Sequence, residues 1–254
     1  YGAQATLARV YWMKGDLDSA RIYADKVIRS NKFHFASKTS LNTFMQKTVS
    51  MEETIWGLYN AEVYSDWLTQ HVRRQGLGDL TTDFKSIYAY EGPTGKKDYR
   101  LDNWFGTYNR SGTPVDILVK VMGNVSDTTS LTTSYNGGPY LGTSMIRIPE
   151  MYYIMSEALL ATGNAEGAME YLDAVVDARG MEKFADRTPL VDITLSDIMA
   201  ERRKEFIGEG QWWFCLKRLN SPVKLSGATG ATIPGSDKIY VLPLPVEEED
   251  YRPE

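Results

Sequence analysis

A single cysteine in 254 residues rules out an internal disulfide and leaves too few thiolates for a zinc or iron–sulfur site. Histidine is almost as scarce. The two present, His34 and His71, do not stand in a metal-binding spacing such as H-E-x-x-H. No run of about 18 apolar residues occurs, so no segment reads as a spanning helix. Excess positive charge is missing as well: a formal charge of −5 argues against a basic face that neutralises nucleic-acid phosphates. The phosphate loop G-x-x-x-x-G-K-[ST] and the nucleophile elbow G-x-S-x-G are absent. "GLGDLT" (76–81) lacks the third glycine and the leading strand of a dinucleotide loop. No cofactor and no metal are therefore expected. Carboxylates are plentiful without pattern, so a glycosidase pair is neither assigned nor refuted.

What remains is an ordinary globular composition, 43% hydrophobic and 24% charged, long enough to bury a sizeable core. Helical patterning starts at Tyr1 with neither an initiator methionine nor a signal segment, which reads as a chain that begins inside a longer protein. Residues 3–30 and 147–219 carry helix-period patterning, 31–146 is rich in Gly, Thr, Ser, Asn and Tyr, and 220–254 reads as loop plus a short extended segment. The helical zones contain a repeat: "LARVYWMKGDLDSARIYADKVI" (7–28) matches "MSEALLATGNAEGAMEYLDAVV" (155–176) at a constant offset. Ala8 aligns with Ser156, Gly15 with Gly163, Ala20 with Ala168, Tyr23 with Tyr171 and Val27 with Val175. This is the pattern of a tetratricopeptide-type helical hairpin, in which glycine ends the first helix and alanine lets the second approach closely. Each hairpin leaves an apolar face. Either the two stack on each other across the intervening zone, or their neighbours lie in an N-terminal part outside this sequence.

The spacing predicts helices at 3–14, 17–30, 147–162, 165–179, 194–207 and 211–219, with strands near 54–59, 116–122 and 238–242. Trp56, inside a strand, reads as core. On a helical wheel, Leu195, Ile198, Phe206 and Trp213 share one stripe with Arg202 and Glu209. Charges on an apolar face need partners. Arg202 reaches Glu205 three residues on, and Glu209 needs a cation from elsewhere, Arg147 or Arg218. Arg147, Arg202, Glu205, Glu209 and Arg218 are thus expected to form a buried structural network. Cys215 reads as a small buried hydrophobe.

"ERRKEFIGEGQWWFCLKRL" (201–219) resembles the ERR-x-EL-x-x-EG-x-RW-x-DL-x-R signature of the SusD/RagB family. Three further stretches agree in order. "ATLARVYWMKGDLDSARIYADKVIRS" (5–30) is similar to the family's helical repeat, "MIRIPEMYYIMSEALLATGN" (145–164) to its R-x-x-E-x-x-L-x-x-AEA helix, and "YVLPLPVEEE" (240–249) to its C-terminal LPIP-x-x-E motif. The chain departs where Trp212 and Cys215 replace an Arg/Asp pair, a loss of both partners that reads as packing substituted for an ion pair. Pro149 is tolerable in the first turn of its helix. The resemblance implies a mainly α, SusD-like fold: tetratricopeptide-like helical hairpins, a long loop-rich central region and short β-strands. It further implies one domain fragment over 1–254, the C-terminal half of a longer member, with 3–30 and 147–219 as scaffold, 31–146 as the ligand-binding region and 220–254 as a C-terminal segment.

As function, the resemblance implies non-catalytic binding of oligosaccharides at the outer membrane for uptake through a SusC-like TonB-dependent transporter. A lipid anchor is expected on the N-terminal part outside this sequence. Alternatives are a peptide-binding member of the same family and a tetratricopeptide adaptor. Ligand residues in this family sit in variable loops, so candidates come from aromatics set among polar residues, where a ring can stack on a sugar's C–H face. "YRLDNWFGTYNRSG" (99–112) supplies Trp104, Tyr108, Asn109 and Arg110, with Asp102 and Asn103 beside them to meet a sugar's hydroxyl rim, and Trp67 and Tyr90 complete the set.

Overall fold

The computed structural model describes residues 1–42, 52–58, 86–90, 92, 95–110, 112–118, 120, 143–190, 192–224 and 231–243. They group into two compact units, Tyr1–Gly210 and Gln211–Glu254.

The first unit is built on two helical hairpins. Helices α1 (Gly2–Lys14) and α2 (Leu17–Ile28) form the first hairpin. Later helices α5 (Ile148–Ala161) and α6 (Ala165–Ala178) form the second. The repeat in sequence is a repeat in geometry. Gly15 (φ 79°) and Gly163 (φ 81°) both turn the chain through the left-handed region, which only glycine enters at no steric cost. Next to each, Asp16 and Asn164 cap the following helix by accepting from Ser19 N (3.0 Å) and Gly167 N (2.9 Å). At the aligned positions Ala8, Ser156, Ala20 and Ala168 are fully buried, and Ser156 Oγ donates to Ala168 O across its hairpin at 2.7 Å. The hairpins do stack on each other, α2 lying against α5. Their shared core comprises Trp12, Ala24, Val27, Met151, Ile154 and Leu172 among others.

Between the hairpins lie α3 (Lys38–Asn42), strand β1 (Thr54–Leu58), α4 (Tyr99–Trp104) and the β2–β3 hairpin (Phe105–Arg110 with Thr113–Leu118). In that hairpin Phe105 faces Leu118 and Arg110 faces Thr113. Strand β4 (Thr143–Arg147) pairs antiparallel with β1, setting Thr54 opposite Arg147. A second, smaller core forms here from Ala36, Leu41, Tyr88, Trp104, Phe105 and Leu118. Helix α7 (Leu195–Glu205) starts with a reciprocal cap, Thr194 accepting from Asp197 N and Asp197 accepting from Thr194 N. Beyond it, Gly208 (φ 75°) and Gly210 (φ 71°) end the helical path.

The second unit contains α8 (Trp212–Arg218), a two-residue ladder of Val223–Lys224 with Thr232–Ile233, and a helical turn, Asp237–Tyr240. The strand expected at 238–242 is that turn: Tyr240 N and Ile239 N return to Ser236 O. Trp213, placed on the buried stripe by the helical wheel, is 44% exposed and tilts against the Tyr240 ring at 5.1 Å. The wheel carried the phase of 194–207 on into 211–219, across Gly208 and Gly210, both of which are left-handed. Trp56 also differs from expectation at 42% exposed, since the two-stranded sheet β1–β4 covers only one of its faces. Cys215 is buried and unoxidised.

Candidate functional site

Two features of the first unit bear on function: a buried charge network, and a cleft that the network braces. The network closes on itself. Arg147 Nη1 donates to Glu53 Oε2 (2.6 Å) and Glu205 Oε1 (2.8 Å), while Arg179 Nη2 donates to Glu53 Oε1 and Glu205 Oε1, both at 2.8 Å. All four side chains are at most 1% exposed. Arg100 extends the ring: it grips Asp98 through Nε (2.8 Å) and Nη2 (2.7 Å), and reaches Glu201 (2.8 Å) and Glu205 (3.3 Å). On the other side Glu209 accepts from Arg147 Nη2 at 2.6 Å and from Lys120 Nζ at 2.5 Å. Charges removed from water persist only when opposite charges and hydrogen bonds replace the lost solvation, and here nearly every donor has a carboxylate or carbonyl.

The electrostatics follow. Burial alone pushes the Glu205 carboxyl up, yet Arg179 and then Arg147 outweigh it and hold Glu205 well below the usual carboxylate range. Glu209 is lowered in the same way, by Arg147 and Lys120 against burial. Lys120 moves down to about 8, because burial and the nearby Arg147 disfavour its charge more than Glu209 favours it.

Arg202 takes a different route from the expected contact with Glu205. It stacks on Trp12, 4.1 Å from the ring centroid, and approaches Glu150 at 3.3 Å; Glu150 also binds Arg9. On α7, Arg202 faces Trp12 of the first hairpin whereas Glu205 faces Arg179. For Glu209, Arg147 is the cation in place; Arg218 belongs to the second unit.

The cleft is lined by Tyr88, Ala89, Tyr90, Lys97, Asp98, Leu101 and Asp102, with a volume of about 390 Å³. Its back is fixed. Tyr88 is fully buried and donates from Oη to Lys204 O at 2.9 Å, burial holding its phenol neutral above the ordinary range. Asp98 is the network carboxylate that Arg100 grips, and Leu101 packs on the small core. Tyr99, on the same short helix, lies directly over Gly180. A Cβ there would fall 2.4 Å from the Tyr99 ring at a backbone φ of +82°, so this docking requires glycine. At the mouth, Ala89, Lys97 and Asp102 are exposed and Tyr90 is half-buried. Tyr90 Oη donates to Glu182 Oε2 at 3.1 Å, and the Arg187 guanidinium lies 5.9 Å from its ring.

Among the described residues, Tyr90 is the sequence-derived ligand candidate that lines this cleft. Trp104 is a correction to the expected platform: it is fully buried in the small core, with Lys120 Nζ 4.0 Å from its ring centroid. It closes α4 just where the chain turns into β2, and both elements pack inward at that corner. Tyr108, Asn109 and Arg110 fall in strand β2, with side chains outside the described residues, and Trp67 lies outside them altogether. Sequence reasoning missed Glu53, Asp98, Arg100, Lys120, Arg179 and Glu201 in the network, and Lys97 in the cleft; Asp102, a polar neighbour of the 99–112 aromatics in the sequence, does line it. Asp98–Arg100, two apart, and Glu201–Lys204, three apart, are local pairs; the other partners meet across 26 to 126 positions. Among the described residues no His, Cys, Asp and Glu cluster could hold a metal ion, and no helix is long and apolar enough to cross a membrane.

The sequence profile of the SusD family matches residues 120–232. No curated protein matches the chain. Among solved structures, it resembles a SusD-like carbohydrate binding protein from Bacteroides vulgatus (18% identity, TM-score 0.69), over 97% of this chain and 56% of that one. A SusD superfamily protein from Bacteroides thetaiotaomicron matches at 24% identity and TM-score 0.69, over 98% and 58%. A SusD-like protein from Bacteroides fragilis matches at 15% identity and TM-score 0.66, over 97% and 62%. The chain thus spans little more than half the length of these structures.

Proposed function

We propose that the chain, matched by the SusD family profile over residues 120–232, is a SusD-like protein that binds oligosaccharides at the cell surface without chemically altering them. The bound glycan is handed to a SusC-like TonB-dependent transporter in the outer membrane, and a lipid anchor outside this sequence holds the protein there. One observation carries the reading: Glu201, Arg202, Glu205 and Glu209 of the charged signature are engaged in internal ion pairs, with Glu205 fully buried. A catalytic carboxylate pair needs access to a scissile bond, and this one has none. The family match and the likeness to a structure described as a carbohydrate binding protein support glycan as the ligand.

The test is a glycan and peptide array probed with the intact protein, followed by product analysis. Binding to a glycan subset without new reducing ends supports the reading. Exclusive binding to peptides, or release of sugar, refutes it. Co-purification of a β-barrel transporter from outer membranes tests the partner.

A further inference from the structure

We propose that the Tyr90 cleft is a subsite for one neutral sugar ring of the bound oligosaccharide, and that it discriminates against uronate-bearing or sulfated units. This rests on the glycan-binding reading above and adds the place and the charge preference. The cleft volume of about 390 Å³ lies near the lower end of small-molecule pockets, about 300–1,000 Å³, which suits a single ring or a pair and not a long segment. Tyr90 offers a flat aromatic surface whose hydroxyl is already committed to Glu182, so the ring contributes stacking. Asp102 at the mouth accepts hydrogen bonds from sugar hydroxyls and Lys97 donates them; both are exposed.

The sign of the local field sets the preference. Asp98 is neutralised by Arg100, and Glu182 accepts from Tyr90. On the open side Lys97 and Asp102 offset each other. Lys204 also stands 4.0 Å from Asp98, and Arg187 lies over the Phe184 ring at 3.6 Å and toward Tyr90 at 5.9 Å. A polyol satisfies both the donor and the acceptor. A carboxylate or sulfate seated on Lys97 meets Asp102, and like charges in one site are costly. The rear wall is preorganised by Tyr88 on Lys204 O and by Leu101 in the small core, which lowers the ordering cost of binding.

The experiment is calorimetric titration of the intact protein and three variants with neutral malto-, cello-, manno- and xylo-oligosaccharides and with oligogalacturonates. Tyr90→Ala is expected to weaken binding of the neutral ligand about tenfold or more, whereas Tyr90→Phe, which keeps the ring, stays within about twofold. Asp102→Asn is expected to weaken the neutral ligand and narrow its advantage over the uronate. Thermal melts of each variant separate a lost subsite from a lost fold. Neutral-glycan binding untouched by Tyr90→Ala and Asp102→Asn overturns the subsite while leaving the functional reading intact. A wild-type preference for oligogalacturonate overturns the charge argument. No glycan binding by the wild type overturns both.

Discussion

Replacing Glu205 with glutamine keeps its size and removes its charge at the point where three guanidiniums converge. Glu205 accepts from Arg147 Nη1 (2.8 Å), Arg179 Nε (3.0 Å) and Nη2 (2.8 Å), and Arg100 Nη1 (3.3 Å). After Glu205→Gln, Arg147 retains Glu53 and Glu209, and Arg100 retains Asp98 and Glu201, but Arg179 keeps only Glu53 of its carboxylate partners. Arg179 is fully buried and has no solvent to turn to. Removing one member of a buried pair costs about 3–5 kcal/mol, because the orphaned charge stays desolvated. At roughly 2–4 °C per kcal/mol for a domain of this size, Tm should drop by about 6–20 °C. Urea denaturation of both proteins at pH 7 gives the free energy directly, provided the m-values agree. Arg29→Met is the control: it removes an exposed pair with Asp25 and should cost no more than about 0.5 kcal/mol. If Glu205→Gln loses less than about 1 kcal/mol, the buried ring is not what binds the loop-rich region to the helices, and the structural reading of the signature fails. A double replacement, Glu205→Leu with Arg179→Leu, should cost less than the sum of the two, since it removes charge and counter-charge together.

Other consequences follow from the same geometry. The folded state releases the Lys120 proton near pH 8 while the unfolded chain holds it to about 10.4, so between these values the unfolded state binds more protons. Stability should therefore rise from about pH 8 toward 10, and Lys120→Met should flatten that rise. On the acid side Glu205 and Glu209 are depressed: their contribution is complete above about pH 4.5 and fades as pH falls further, a loss that Glu205→Gln should blunt in an acid-denaturation series. Trp104→Ala empties the small core at a fully buried site and should cost about 3–5 kcal/mol; selective loss of ligand binding at unchanged Tm would contradict its placement. Gly163→Ala meets only backbone strain, whereas Gly180→Ala adds a clash with Tyr99, so thermal melts should rank Gly180→Ala as the more damaging, by about 1–3 kcal/mol.

The hairpins were legible because their information is local. A glycine at the turn, an Asx cap beside it and small residues at one spacing specify the same unit at 7–28 and 155–176, and every predicted helix appears within a few residues of its place. That Arg202, Glu205 and Glu209 would find partners inside the fold was also legible, from charges on an apolar stripe. Which residues would pair was not. Glu53 reaches Arg147 only because β1 finds β4, an event set by sheet register that no helical wheel contains. Arg202 turned to Trp12 instead of Glu205, since cation–π contact with a buried indole and Glu150 replaced the nearer carboxylate. The aromatic context in 99–112 was ambiguous in principle, because a ring among polar residues serves as readily to pin a loop as to meet a ligand. Trp104 took the first role. Lys97 carried no signal of its own and Asp102 only that of a polar neighbour to the 99–112 aromatics; the fold places both around one cleft with Tyr88 and Tyr90.

Glycan titration of the wild type beside Glu205→Gln and Tyr90→Ala, each at a temperature where it is folded, separates scaffold from site in a single data set. The charge network as scaffold and the cleft as binding surface predict near-native affinity in Glu205→Gln despite its lowered Tm, weakened binding in Tyr90→Ala at near-native Tm, and ligand recovered unchanged. Folded Glu205→Gln that no longer binds would contradict the separation of scaffold from site, and ligand recovered with new reducing ends would contradict binding without chemistry.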